Sequence, residues 1–94
     1  MTETILEEAQ RIINGARNQT HGAKERSFTE IAELWETYLG SGKEYPVSIT
    51  AEDVAWMMVL MKIARRNHGE PIRDHYVDAV GYIAIAHELS GAKE

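Results

Sequence analysis

Eight consecutive apolar residues, Val54 to Met61, constrain this chain more than any other feature. They follow Thr50-Ala51-Glu52-Asp53, a box-like cap in which a hydroxyl and a carboxylate satisfy orphan backbone N–H groups. Ile49 is placed to staple onto Val54 across that cap. The run therefore reads as a helix, ended by Asn67-His68-Gly69-Glu70-Pro71. A helix that buries one stripe needs only three or four apolar positions in seven. One that is apolar all round must be covered on most of its circumference, as the centre of a bundle or as half of a subunit interface.

The remaining chain supplies three more helices. Ile5, Leu6, Ala9, Ile12, Ile13 and Ala16 form one amphipathic stripe, with Thr2 as its cap, fading over Asn18 to Thr20 and stopping at His21-Gly22. Ser27-Phe28-Thr29-Glu30 is a capping box opening a second helix whose stripe is Phe28, Ile31, Ala32, Trp35, Tyr38 and Leu39, ended by Gly40-Ser41-Gly42. A last helix is predicted from about Arg73 to Leu89, apolar nearly all round between Ala79 and Ala86. No strand-like alternation, repeat or low-complexity tract interrupts them. The expected fold is all-α, a compact bundle of about four helices.

Ninety-four residues are expected to form one domain, residues 1–94. Cysteine is absent, which removes disulfides and thiolate zinc sites, and no two of the four histidines stand at i, i+4. Two helices as greasy as the last two exceed what one small bundle can cover, so a homo-oligomer is expected. The longest apolar run is too short to span a membrane, and no export signal opens the chain. With a net charge of −5 and no broad basic surface, duplex nucleic acid is a poor partner. The small basic cluster Lys62, Arg65 and Arg66 suits a small anion instead, such as nucleotide phosphate.

Polar residues within the greasy helices carry the chemistry, because a buried charge is costly unless it is paired or holds a ligand. Asp74, Asp78 and Tyr82 follow one another at four-residue spacing on one helix face. If the last two helices are antiparallel neighbours, Lys62 and Arg65 meet Asp74 and Asp78. That constellation is either a structural salt-bridge network or a site in which carboxylates hold Mg²⁺ while cations grip phosphate. Asp53 is a capping residue or a metal ligand. Glu30, Glu33 and Glu36 form overlapping E-x-x-E pairs on a solvated face or beside a metal. Trp35 and Trp56 sit at core-like spacing, and Met57, Met58 and Met61 read as core or interface.

The ordered set Arg17 to His21-Gly22, Phe28-x-x-Ile-Ala-x-x-Trp35, Thr50-x-x-Asp53-Val, Met58-x-x-x-Lys62-x-Ala-Arg65 and Asp74-x-x-x-Asp78-x-x-Gly81-Tyr82 resembles a family of small bacteriophage and prophage proteins. More distantly, it is similar to the MazG-like all-α nucleoside triphosphate pyrophosphohydrolases. That resemblance implies a cytoplasmic oligomer in a bacterial host, binding (d)NTP and cleaving it to (d)NMP and pyrophosphate with Mg²⁺. Asp53, Asp74 and Asp78, with Glu30 or Glu33, would be the metal and catalytic carboxylates; Lys62, Arg65, Arg66 and Tyr82 would bind the ligand. His75 stands where the first acid of the family's E-x-x-D helix belongs. The alternative is a non-catalytic phage binding protein, a sponge for nucleotide signals or an inhibitor of a host defence protein.

Overall fold

The computed structural model describes residues 2–14, 21–42 and 47–92, and for residues 21 and 22 the backbone alone. Among the described residues four helices make up the architecture: α1 (Ile5–Ile13), α2 (His21–Gly40), α3 (Ala51–Asn67) and α4 (Arg73–Ser90). No strand occurs among the described residues. The all-α, four-helix expectation holds.

Local chemistry sets the helix ends. Thr50 and Asp53 form the expected reciprocal box, with Thr50 N–H donating to Asp53 Oδ2 at 2.9 Å and Asp53 N–H to Thr50 Oγ1 at 3.0 Å. Thr4, not Thr2, caps α1. It exchanges the same pair of bonds with Glu7, at 2.8 and 3.1 Å, because the T-x-x-E spacing exists there, whereas three residues beyond Thr2 stands Ile5. Gly91 closes α4 in the left-handed conformation at φ 69°.

The start of α2 differs most from expectation. His21-Gly22 does not stop a helix but lies in the first turn of one, and the Ser27-to-Glu30 box falls in the helix interior. Ala23, Lys24, Glu25 and Arg26 are strong helix formers, and Lys24, only 5 % exposed, is tied to Glu88 Oε2 of α4 at 3.0 Å. The expected fading over residues 18–20 and Ala16 of the first stripe lie outside the described residues, as does Arg17.

α3 and α4 run antiparallel, as the contacts of Lys62 with Asp78 and of Ala55 with Ile85 and Ala86 require. α1 lies parallel to α4: Arg73 Nε meets Glu8 Oε1 at 2.7 Å, its Nη2 donates to the Glu3 carbonyl at 2.6 Å, and Ile13 rests on Gly81 eight residues further along. Arg11 pairs with Glu3 beside this junction and holds that carboxyl below its ordinary range, mainly through their hydrogen bond. α2 closes the opposite end, where Lys24 reaches Glu88 and Glu36 Oε2 accepts the Ile49 N–H at 2.6 Å.

The core is built of small side chains. Ile13, Ala55, Ile85 and Ala86 form its centre, with Phe28, Tyr82, Ala84 and Leu89 packed around it. α4 is the helix contacted from several sides. α3, expected at the centre or at an interface, buries only Val54, Ala55 and Val59. Trp56, read as packed, is half in water, and Met57 and Met61 are exposed.

Gly81 is a place where the core has room. A Cβ built there would lie 3.7 Å from Ile13 Cδ1 and Cγ1, an ordinary contact. Gly81→Ala should therefore stabilise the fold by roughly 0.5–1 kcal/mol, since glycine loses more backbone freedom in a helix interior. A melting temperature that falls would show that the α1–α4 contact is tighter than this.

Candidate functional site

The antiparallel pairing of α3 and α4 does bring Lys62 to Asp78. Lys62 Nζ lies 2.8 Å from Asp78 Oδ2, with the lysine 11 % and the aspartate side chain 35 % exposed. Lys62 follows the buried Ala55 and Val59 at seven and three residues, so its stem lies on the packed face of α3 and its ammonium is satisfied by an anion on α4. Asp78 sits where it does because α4 buries His75, Val77 and Gly81 on neighbouring positions of the same helix.

A cavity of 340 Å³ opens on the Asp78 side of this pair, between α1, α2 and α4. Its polar groups are Asp78 and Tyr82 from α4 and Lys24 and Ser27 from α2; the Phe28 ring and the bare backbone of Gly81 add apolar wall. The size falls within the roughly 300–1,000 Å³ of small-molecule sites, and a mostly apolar wall with a few convergent polar groups is their usual chemistry. A second cavity, of 400 Å³, lies on the Lys62 side, lined by Ile5, Ile63, Tyr76 and Ile83 with the stems of Lys62 and Arg66. It is almost wholly apolar. His75, which borders it, has a buried Nδ1 with no hydrogen-bond partner.

The other expected site residues are dispersed. Arg65 borders a separate hollow beside His68 and Gly69, and Arg66 donates to Asn67 Oδ1 at 3.0 Å. Asp74 is exposed in the first turn of α4, where a carboxylate suits the positive helix end. Asp53 is occupied by its cap and lies nine residues from Lys62, about 13.5 Å along the helix axis. Glu30 and Glu33 line a shallow hollow on the outer face of α2 with Glu25, Arg26 and Thr29. Glu36 holds Ile49, as above.

Among the described residues no three histidine, aspartate or glutamate side chains gather closely enough to hold a metal ion. The donor set expected for Mg²⁺ (Asp53, Asp74, Asp78, Glu30 and Glu33) is spread over three helices and does not fit that ion within this chain.

Lys24 is the residue sequence reasoning missed. With the helix taken to begin at Ser27 it read as loop. Once α2 begins at His21, Lys24 continues the stripe of Phe28, Ile31 and Trp35 one turn upstream, at i, i+4, i+7 and i+11. A cation on an apolar face was the available signal.

Residues 4–90 match a domain family described as "Domain of unknown function (DUF6378)". The chain is 44 % identical over 89 residues to the "Gene 55 protein" of Mycobacterium phage D29, which covers 95 % of this chain and 55 % of that protein. To the "Gene 55 protein" of Mycobacterium phage L5 it is 38 % identical over 86 residues, covering 92 % and 52 %. The chain thus spans about half the length of the curated relatives it matches. No solved structure matches it. These relatives bear out the phage part of the expected resemblance. No helix among the described residues is long and apolar enough to cross a membrane.

Proposed function

This chain belongs to the DUF6378 family, a domain family of unknown function with members encoded by bacteriophages, and we propose that it binds a nucleotide in the cavity between α1, α2 and α4. The observation that carries this reading is the convergence on one 340 Å³ space of two aromatic rings, a cation, a carboxylate and a hydroxyl. Phe28 or Tyr82 provides a face on which a base can stack. Asp78 can accept a base or ribose donor. Lys24, nearly buried, suits a phosphate oxygen; an ammonium carries three donors, so its bond to Glu88 does not exhaust it.

Binding without turnover in the single chain is the form of this reading that the geometry favours. MazG-like hydrolysis of a (d)NTP would require a shared metal, and the carboxylates named for it stand apart. The nucleotide-sponge alternative requires only the cavity.

Thermal unfolding in the presence of each common NTP, dNTP and monophosphate, with EDTA, tests the proposal. A ligand at a hundred times its Kd adds about 2.7 kcal/mol to the folded state, on the order of 10 °C for a domain of this size. Tyr82→Ala should weaken that ligand about tenfold, the usual order for loss of a stacking ring. No shift with any nucleotide, or a shift indifferent to both Tyr82→Ala and Lys24→Met, would refute the site and favour a host-protein partner. Pyrophosphate release that appears with Mg²⁺ and vanishes in EDTA would return catalysis to this protein.

A further inference from the structure

α3 carries an outer face that the chain leaves in water. Trp56, Met57, Leu60, Met61 and Ile63 are between 37 and 63 % exposed, while the largest fully buried side chains among the described residues are two valines, Val54 and Val77. Burying a large apolar side chain contributes roughly 1.5–3 kcal/mol. The bulkiest members of the apolar run are thus withheld from the core of a domain small enough to need every one of them. These five expose on the order of 450 Å², more than half of the roughly 800 Å² that each partner contributes to a standard interface.

We infer that this face pairs with α3 of a second copy of the chain, antiparallel, about a two-fold axis at the level of Leu60. The apolar stretch is bounded by Glu52 and Asp53 in the first turn of α3 and by Arg65 and Arg66 in its last. Antiparallel pairing centred on Leu60 sets that leucine against its own copy, Met57 against Ile63 and Trp56 against Ala64. The same operation brings Glu52 and Asp53 of each copy to the level of His68 and Asn67 of the other, at the helix end that also carries Arg65 and Arg66, and opposes the helix dipoles favourably. Parallel pairing would set like charge on like charge. Trp56 is already oriented, its Nε1 donating to Glu52 Oε2 at 3.0 Å, so it has less rotamer freedom to lose on association. The nucleotide cavity is lined from α1, α2 and α4 and stays open in this dimer.

Sedimentation equilibrium of the full chain should show a concentration-dependent species of twice the 10.6 kDa chain mass. Leu60→Glu should weaken it by at least ~100-fold, as loss of a central anchor does. Trp56→Ala should weaken it about tenfold, because the ring packs beside the axis against Ala64 of the second copy. Leu60 is exposed in the single chain, so the helical circular dichroism of Leu60→Glu should be unchanged. If that variant does not fold, cross-linking supplies the readout. The chain lacks cysteine, so oxidation should convert Leu60→Cys into a covalent dimer and leave Leu6→Cys, on α1, largely monomeric. A chain that stays monomeric, a trimer, or a dimer indifferent to Leu60→Glu would overturn the inference.

Discussion

Replacing Asp78 by alanine is expected to destabilise the fold by about 2–3 kcal/mol, while replacing its partner Lys62 by methionine costs less than about 1 kcal/mol. The asymmetry follows from where the two charges lie. Lys62 is almost enclosed, so without Asp78 its ammonium loses the anion that offsets its burial, and the packing around it must open to admit water. Asp78 keeps about a third of its surface in water, so without Lys62 it is solvated, and the methionine fills the vacated stem volume. The lower figure for Asp78 reflects that same exposure, since breaking a fully enclosed pair costs about 3–5 kcal/mol. Urea titration separates the two variants by their midpoints at unchanged slope. Equal losses would mean that Lys62 is reached by water and that the pair is an ordinary surface bridge. Because Asp78 also lines the nucleotide cavity, a ligand test on any of its lining residues must compare each variant with its own unliganded melting temperature.

Ala86→Leu is expected to be equally severe, at about 3 kcal/mol. Ala86 is fully buried in the cluster with Ile13, Ala55 and Ile85. Three added carbons have no cavity to enter, and either α3 and α4 move apart or the neighbouring side chains leave their rotamers. Against a total stability of roughly 5–14 kcal/mol for a domain of this length, such a loss is a large share. Differential scanning calorimetry should register a fall of more than about 10 °C. An unchanged transition would show that the α3–α4 contact is loose, and would also weaken the case that α3 is held firmly enough to present its outer face to a second copy.

Much of the helical architecture is readable without coordinates, and the reason is range. The Thr50–Asp53 box, the apolar run after it, the Gly91 stop and the extent of α4 are each decided within a few residues. So is the Thr4–Glu7 box, which the T-x-x-E spacing marks and which Thr2 lacks. The start of α2 is not legible locally because two signals compete. The Ser27 box is a valid cap pattern, but Lys24 and Glu88, 64 positions apart, stabilise the turns upstream of it, and no window of the sequence contains both.

Residue order alone determined that this chain is helical, that Lys62 and Asp78 could meet across two antiparallel helices, and that its third helix carries more apolar surface than one stripe requires. Only the tertiary structure decided that Asp53, Asp74, Glu30 and Glu33 do not join them, that Lys24 and Asp78 line one cavity, and that the surplus apolar face of α3 points outward. Hydrogen-bond periodicity acts over three or four residues and is written in local order. The distance between side chains on different helices depends on crossing, register and which small residues let two backbones approach, and these are properties of the packed whole.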